Sequence, residues 1–424
     1  MLNLNLNFVL KIIIPVSVVA VISRTFPQFS FFYYLLPLLF LFIIFTGYKY
    51  VLKDKALTIL LLLLFTFGLW SAVTSLWSDY PLVTLSRSGY FIFISFGAVL
   101  AGYLWQQLNF TPLSFLLAAN IIVVALSLFS LITNIPADSW TGGNAKGFMG
   151  FAGHQNTLAS AILFTIPAVI SKIPNRKSKI PNYTYYRLLI TAYCLLLTMN
   201  FLILILTYSR ATILALVIGA VVFLLLSKKS NVLIYSSAVA LLILCLIWFT
   251  PYLKEKANEL VKKDFPEFYS SRQWLWEPSY NAALSGGLTG LGYGISNPEI
   301  IVEGTGSHYD NGRYIREKGN SFLALIEETG VIGFILFLVP VGYILMRQSS
   351  IQHPASGIQH PASGIRYPVS AILPASILAL LLHSQFEAWM VGVGSIQLPL
   401  FFFYIGSMTN AVILSKAKNP TNDN

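Results

Sequence analysis

The chain has 424 residues, of which 56% are hydrophobic and only 10% are charged, and its formal net charge is +11 at pH 7. A soluble globular domain carries roughly a quarter charged residues, so the composition excludes that class. Apolar runs long enough to cross a bilayer as helices recur along the sequence, without the alternation that a β-barrel requires. The predicted fold class is therefore all-α, a polytopic integral membrane protein.

About twelve membrane-spanning helices are predicted in chain order. The first is interpreted as an uncleaved span, because no small-residue cleavage site follows it. The seventh and eighth predicted spans, 186–207 and 209–226, require a very tight turn between them at "TYSRAT" (207–212). A single long or broken helix is the alternative there. The predicted spans are 8–23, 29–47, 56–77, 88–105, 112–133, 154–171, 186–207, 209–226, 231–250, 321–346, 370–386 and 394–414.

The distribution of basic residues predicts the orientation of these helices. If the N-terminus is cytoplasmic, fifteen Lys and Arg residues fall in inside segments, and the short outside connections hold only Arg24, Arg87, Lys146 and Arg210. Basic residues accumulate on the cytoplasmic side of membrane proteins, so both termini are predicted to be cytoplasmic. Topology then accounts for the positive charge, and no nucleic-acid partner is expected.

One connection, residues 251–320, is far longer than the others and falls on the outer (periplasmic) side. A loop of this length is usually functional or disordered. Its stretch "YSSRQWLWEPSYNAAL" (269–284) predicts an ordered element along the membrane, where Trp274 and Trp276 suit the interface. The predicted organisation is a membrane domain of about nine spans at 1–250, this outer loop at 251–320, a membrane domain of about three spans at 321–415 and a cytoplasmic tail at 416–424.

A short repeat lies in the predicted cytoplasmic insertion at 347–370. "IQHPASG" occurs at 351–357 and again at 358–364, then decays to "IRYPVSA" at 365–371. Proline at every seventh position prevents a regular helix. The repeat is interpreted as a tandem duplication in a tolerant loop rather than as a metal-binding tract of His353 and His360. With no metal-type Cys/His cluster elsewhere, no metal site is predicted.

Polar residues at the outer ends of the predicted helices form the candidate site. Polar groups are expensive in a membrane and often mark function. The guanidinium group of arginine binds phosphate oxygens in a bidentate geometry, so a cationic pocket here predicts a polyanionic lipid headgroup. The residues are His154 and Asn156 at the start of the sixth span, Arg210 between the seventh and eighth, Arg272 in the outer loop, and Asn320 and Ser321 at the start of the tenth.

Each of these residues also has a purely structural interpretation. Only their shared position on one side of the membrane favours the functional one. The alternatives are snorkelling or helix capping for Arg210, an ion pair with Glu277 for Arg272, an ordinary helix start for His154 and Asn156, and contact with water or the loop for Glu327 and Glu328.

Ordered motifs run through most of the chain. They are "LWSAVTSLWSDYPLVTLSRSGYF" (69–91), "GFAGHQNTLASAILFTIPA" (150–168), "LTYSRATILALVIGAVVFLL" (206–225), "RQWLWEPSYNAALSGGLTGLGYG" (272–294) and "GNSFLALIEETGVIGFILF" (319–337). The set resembles the O-antigen ligase and polymerase family of bacterial membrane glycosyltransferases. Asn320, Gly330 and Gly333 fall at the spacing of that family's closing motif.

The resemblance implies an enzyme of lipopolysaccharide or exopolysaccharide biosynthesis in the cell envelope, in the bacterial inner membrane. It implies about twelve helices, a large outer loop between helices nine and ten, and no required metal or nucleotide cofactor. The donor would be a glycan on undecaprenyl diphosphate, and the acceptor a saccharide such as lipid A-core or a growing polysaccharide. Arg210 and Arg272 match the family's arginines and would bind the diphosphate, and Asn156, Asn320 and Ser321 would contact substrate.

The motif departs from the ligase pattern at Gly319, where ligases usually carry a histidine proposed as the base that activates the acceptor. His308, His154 or Glu327 could replace it. Alternatively the chain is a polymerase, a subtype that the "KGNS" form of the motif favours. An anion transporter of the bicarbonate type is the alternative from another class, but the chain shows no internal duplication of spans.

Overall fold

The computed structural model describes residues 41, 43–45, 53–107, 114–135, 140–141, 147–173, 183–227, 270–301, 308–310, 313–351, 369–392, 395 and 397–417. Over these residues the chain is mostly helical. The helices are α1 (Lys55–Val73), α2 (Pro81–Gln107), α3 (Ser114–Thr133), α4 (Gln155–Lys172), α5 (Tyr183–Leu206), α6 (Arg210–Leu226), α7 (Ser270–Gly286), α8 (Ser321–Ile351), α9 (Val369–His383) and α10 (Gln397–Ala417). The short strands are β1 (Trp140–Thr141), β2 (Gly147–Phe148), β3 (His308–Asp310) and β4 (Arg313–Ile315).

Several of these helices are long and apolar enough to cross a membrane. Among the described residues there are five such stretches, Lys55–Leu76, Pro81–Leu104, Leu116–Thr133, Thr184–Leu206 and Ser321–Arg347, and Arg210–Leu226 and Ala371–His383 are shorter apolar helices. A helical polytopic membrane protein is thereby confirmed. The predicted spans at 8–23 and 231–250, and most of 29–47, lie outside the described residues, as does the repeat at 351–371 apart from its ends, so a total of twelve stays a prediction.

The second of these helices, α2, begins at Pro81 rather than at residue 88, where the polar "SRS" had suggested a connection. Proline is favoured in the first turn of a helix, because its missing N–H would have no partner there. The Tyr80 carbonyl accepts from the N–H groups of Val83 and Thr84, each at 3.1 Å. The earlier start puts Arg87 inside a helix, which corrects its predicted place in a loop.

The turn between α5 and α6 is as tight as the sequence required. Only Thr207–Ser209 separates the two helices, and Tyr208 adopts a left-handed backbone with φ 53°. The Thr207 hydroxyl donates to Leu204 O at 2.7 Å, and the hydroxyls of Ser209 and Thr212 are 3.0 Å apart. Side-chain hydroxyls thus satisfy the backbone where one helix ends and the next begins, and the single continuous helix is excluded.

The chain forms two compact units, and the first contains residues 1–35, 113–271 and 356–380. A fully buried polar trio links three of its helices: Asn120 of α3, Thr165 of α4 and Asn200 of α5. Asn120 Nδ2 donates to Asn200 Oδ1 at 2.8 Å and to Thr165 Oγ1 at 2.9 Å, and Asn200 Nδ2 donates back to Asn120 Oδ1 at 2.9 Å. Such bonds satisfy polar groups inside an apolar bundle and fix the helix register.

The second unit contains residues 36–112, 272–355 and 381–424. Its core is a cluster of aromatic side chains from α1, α2, α8 and α10. Phe67 packs edge-to-face on Phe91 at 4.8 Å and on Phe337 at 5.3 Å between ring centroids, and Phe91 packs on Phe402 at 5.6 Å. These edge-to-face contacts are the preferred geometry of aromatic pairs. The cluster supports the end of the closing motif, where Phe337 lies on α8.

Candidate functional site

Asn320 caps the start of α8. Its side-chain Oδ1 accepts from Phe322 N at 2.8 Å and from Leu323 N at 3.1 Å. Asparagine is among the best N-cap residues, because it satisfies N–H groups that the first helical turn leaves unpaired. The structure therefore gives Asn320 a structural role, and its predicted contact with substrate stays a prediction.

Ser321 ties the start of α8 to the segment that follows α9. Its hydroxyl donates to Glu387 O at 2.9 Å and accepts from Met390 N at 3.2 Å, while its backbone N–H donates to Ser384 O at 2.9 Å. The residue is fully buried. Both polar side chains of "GNS" are thus engaged in holding the local backbone, and substrate binding by Ser321 also stays a prediction.

Gly319 lies directly against α7. Its carbonyl accepts from Trp276 Nε1 at 3.3 Å, and a Cβ atom added to Gly319 would lie 2.8 Å from Leu275 Cβ. Real Cβ atoms do not approach so closely, so a side chain at this position would require α7 to move. Packing against α7 thus accounts for a residue without a side chain at position 319.

The two tryptophans of α7 differ in environment. Trp274 is 41% exposed, whereas Trp276 is only partly exposed and its ring packs on Phe386 with centroids 5.4 Å apart. Together with the bond to Gly319, this gives Trp276 a packing role, and the predicted place of both tryptophans at the membrane interface stays a prediction. The prediction of an ordered element at 269–284 is confirmed by α7.

Helix α8 is broken at Gly330, which adopts φ 71° and ψ 179°. The break leaves backbone N–H and C=O groups of α8 without partners inside the helix. The glycine-rich segment (residues 286–294), which begins at the last residue of α7, pairs with four of them. Trp70 Nε1 pairs with one more. The bonds are Leu291 N to Glu327 O at 2.9 Å, Gly292 N to Glu328 O at 3.0 Å, Trp70 Nε1 to Thr329 O at 2.8 Å, Val331 N to Gly287 O at 3.1 Å and Ile332 N to Leu288 O at 3.2 Å.

Just before the break, four charged side chains form a buried ionic network of Arg316, Lys318, Glu327 and Glu328. Arg316 Nη2 lies 2.6 Å from Glu327 Oε2, and Lys318 Nζ lies 3.2 Å from the same oxygen and 2.5 Å from Glu328 Oε1. None of the four side chains is more than 7% exposed. The two carboxylates therefore contact the loop residues Arg316 and Lys318 and do not face water, so of the structural interpretation of Glu327 and Glu328, contact with the loop is confirmed.

The remaining carboxylate oxygens of the ionic network hold the backbone of the chain after α7. Glu327 Oε1 accepts from Asn297 N at 2.9 Å, and Glu328 Oε2 accepts from Gly294 N at 2.7 Å. Every carboxylate oxygen thus has a partner, as a buried charge requires. These contacts assign Glu327 a structural role, because a general base needs a free oxygen within reach of the acceptor. Its candidacy as the base stays a prediction without support from its contacts.

The two candidate histidines lie in exposed positions. His154 is the N-cap of α4, and its Nδ1 accepts from Asn156 N at 3.2 Å, which matches the ordinary helix start. His308 opens the antiparallel hairpin of β3 and β4, paired with Ile315, one residue before Arg316. The ionic network therefore anchors the strand that pairs with His308. The role of either histidine as a base stays a prediction.

The two candidate arginines both lie at helix starts. Arg210 is the first residue of α6 and is half-buried, after the N-cap Ser209. Arg272 lies in the first turn of α7. Arg210 belongs to the first compact unit and Arg272 to the second. No group of three or more His, Cys, Asp or Glu residues within the described ranges could hold a metal ion.

Sequence reasoning missed the ionic network, although its four members lie within the short stretch 316–328. The signal was the pairing of "REK" (316–318) with "EE" (327–328), two cations and two anions around a helix start. Their contact depends on the fold of the chain between them, which composition does not reveal.

A comparison with protein families gives one match. Residues 193–338 match a family model described as O-antigen ligase. The matched range runs from α5 to α8 and contains Arg210, Arg272, His308, Asn320 and Glu327, but neither His154 nor Asn156. No curated protein matches the chain. The match confirms the resemblance that the ordered motifs carry, and residues 193–338 of this chain are similar to the O-antigen ligase family.

Proposed function

We propose that this chain is a glycosyltransferase of the O-antigen ligase and polymerase type. It transfers a glycan from undecaprenyl diphosphate to a saccharide acceptor, lipid A-core or a growing polysaccharide, at the outer face of the cytoplasmic membrane. The observation that carries the proposal is the family match over residues 193–338, which contains both candidate arginines.

The proposed reaction is a direct displacement. The acceptor hydroxyl attacks the anomeric carbon, the bond from that carbon to the diphosphate oxygen breaks, and undecaprenyl diphosphate leaves with the electron pair. Arg210 and Arg272 would meet the negative charge that grows on the leaving group, because fixed cations stabilise such a transition state. His308 or His154 would take the proton of the acceptor hydroxyl.

The packing around the closing motif supports the proposal. The ionic network fixes residues 316–318 to α8, and Trp276 and Leu275 dock α7 on Gly319. The helix that carries Arg272 is therefore held by defined contacts rather than by a loose loop. A catalytic group needs such support to stay within the small tolerance of a productive geometry.

We favour the polymerase subtype over the ligase, and the environment of Gly319 supports this choice. An added Cβ there would lie 2.8 Å from Leu275 Cβ, so the base of a ligase has no space at this position. The acceptor would then be the growing glycan, activated from another position in the chain. No contact within the described ranges, and no match, favours the anion transporter.

The glycan profile of a deletion strain tests the function. Lipid A that carries a single repeat unit and no long chains would support a polymerase. Lipid A that carries no repeat unit at all would support a ligase and overturn the subtype. A profile identical to that of the parent strain, with the chain confirmed absent, would overturn glycosyl transfer in this pathway.

A further inference from the structure

We propose that α7 and the glycine-rich segment form a re-entrant limb that enters the lipid beside α8, with Leu284 and Leu288 in contact with acyl chains. This differs from a loop that projects into water, which the polar composition of residues 251–320 would suggest. The inference concerns where the segment lies, and it does not rest on the proposed reaction.

The contacts of α7 set its depth relative to α8. Leu275 lies against Gly319, just before α8 begins, whereas Gly286 lies against the backbone of Ile326 and Glu327. The C-terminal end of α7 therefore lies beside the first two turns of α8, whereas its earlier part lies level with the residues just before α8. The limb descends beside the span, and its deepest described bonds reach Val331 and Ile332.

We place these bonds inside the hydrocarbon by centring the span in the bilayer. The apolar stretch Ser321–Arg347 has 27 residues. At 1.5 Å per residue it is about 40 Å long, so a core of about 30 Å leaves roughly 5 Å at each end. Glu327 and Ile332 lie about 9 and 16 Å along α8 from Ser321. The bonds between the glycine-rich segment and α8 therefore lie below the boundary of the core.

The large side chains that are exposed at this depth are apolar. Leu284 is 62% exposed and Leu288 is 68% exposed. The carbonyl of Leu288 accepts from Ile332 N, and the exposed residues of α8 continue the surface along the span through Ile335 and Val339. A patch of large apolar side chains on a membrane protein, continuous with the outward face of a spanning helix, fits acyl chains.

Two further observations meet the conditions for a non-helical backbone in a membrane. Irregular backbone is tolerated there only when protein groups satisfy its hydrogen bonds. The glycine-rich segment does so through its bonds to α8 and through Gly290 N to Gly286 O at 2.7 Å. The charges of Glu327 and Glu328 at the same depth are compensated by Arg316 and Lys318.

The limb also fixes the height of Arg272. This residue lies nearly one turn before Leu275 on α7, at the end of the helix away from Gly286. Since Leu275 is level with Gly319, Arg272 lies at the polar boundary of the membrane. A phosphate group attached to a lipid would be found at that height.

Nitroxide accessibility tests the limb in the full chain. Single spin labels are introduced in a background that lacks Cys194 and Cys245, and the protein is reconstituted in vesicles of phosphatidylethanolamine and phosphatidylglycerol. Labels at L284C and L288C report the limb, I335C reports the face of a span, and Y309C reports the exposed hairpin. Power saturation with oxygen, which concentrates in lipid, is compared with saturation by a water-soluble nickel chelate.

We expect the oxygen-to-nickel ratio at Leu284 and Leu288 to match that at Ile335 and to exceed that at Tyr309 several-fold. A ratio equal to that at Tyr309 would overturn the proposal. Protection from both reagents would also overturn it, since a second copy would then cover the surface. Protection that arises only after undecaprenyl diphosphate is added would assign the surface to the donor's chain instead. Only variants that remain monodisperse are scored. A label at either Leu284 or Leu288 is sufficient to decide whether the limb contacts lipid.

Discussion

Arg316 Nη2 lies 2.6 Å from Glu327 Oε2, and neither side chain is exposed. Arg316 belongs to the end of the predicted outer loop and Glu327 to α8, so this pair ties the returning chain to the broken helix. Lys318 adds a second cation and pairs with Glu328. Two cations thus compensate two anions, and removing one member leaves a buried charge uncompensated.

The first prediction concerns that balance. We expect Glu327→Gln to lower the free energy of unfolding by about 3–5 kcal/mol, because breaking a buried pair strands its partner. The double variant Arg316→Met with Glu327→Leu removes both charges. Its loss in free energy of unfolding should be smaller than the sum of the losses in the two single variants. Chemical unfolding of the purified protein in detergent measures both effects.

Glu317→Gln is the matched control for this experiment. Glu317 lies in the same segment but is exposed, so its replacement should change the free energy of unfolding by no more than about 0.5 kcal/mol. Equal effects of Glu317→Gln and Glu327→Gln would show that the ionic network does not stabilise the fold.

Local chemistry allowed some boundaries to be predicted from sequence. The starts expected at 154 and 209 are found at Gln155 and Arg210, because His154 and Ser209 are the N-cap residues of these helices. The start of α2 was missed, because the polar residues around Arg87 concealed the helix that Pro81 begins.

The centre of the closing motif could not be predicted in the same way. The break at Gly330 is stabilised by the glycine-rich segment, about 40 residues earlier in the chain, and its bonds depend on how α7 packs. The same holds for Gly319, whose lack of a side chain is explained by Leu275. Periodicity and hydropathy report each segment by itself, whereas these features are relations between segments.

The second prediction concerns Gly319. We expect Gly319→Ala to destabilise the protein by about 1–3 kcal/mol, because the added methyl group overpacks the contact with Leu275. Gly319→His should be worse and should not create ligase activity. Combining Gly319→Ala with Leu275→Ala makes room and should restore much of the loss. Thermal unfolding of the purified variants measures the series.

Gly342→Ala is the control for the series. A Cβ atom added to Gly342 would meet nothing within 4 Å, so the change should be neutral or slightly stabilising. If Gly319→Ala behaves like Gly342→Ala, α7 is not packed on the motif as described.

The third prediction separates backbone strain from steric conflict. Gly330 and Gly287 both have positive φ, at 71° and 55°, but a Cβ on Gly330 would collide with the carbonyl of Leu288, whereas a Cβ on Gly287 would meet nothing within 4 Å. We expect Gly287→Ala to cost about 1 kcal/mol from strain alone. Gly330→Ala should cost roughly 3 kcal/mol or more, because the backbone angles at Gly330 are essentially restricted to glycine. In addition, the new methyl group would collide with the carbonyl of Leu288. Similar unfolding free energies for both variants would contradict the pairing at the break.

The fourth prediction concerns the polar trio of the first unit. Asn120→Leu leaves Asn200 and Thr165 without their shared partner, and we expect a loss of about 1–3 kcal/mol. The double variant Asn120→Leu with Asn200→Leu should lose less than the sum of its single variants. Thr198→Val, on the exposed side of α5, is the control, since the Thr198 hydroxyl donates to Cys194 O of its own helix. Strict additivity of the two asparagine replacements would show that the side chains do not act as a pair.

The last prediction tests the proposed chemistry at Arg210 and Arg272. Lysine keeps the positive charge but lacks the planar fork that binds two phosphate oxygens at once. We expect Arg210→Lys and Arg272→Lys each to lower kcat by about 100-fold, as the loss of one group that stabilises a leaving-group charge typically does. The assay is glycan transfer by reconstituted protein from a donor on undecaprenyl diphosphate. Arg187→Lys, an exposed change on α5, controls for the substitution itself, and unfolding of each variant shows whether the fold is retained. Full transfer by both Arg210→Lys and Arg272→Lys would exclude bidentate binding of the diphosphate. A rise in KM at constant kcat would instead show that the arginines bind the donor and do not assist the departure of the leaving group.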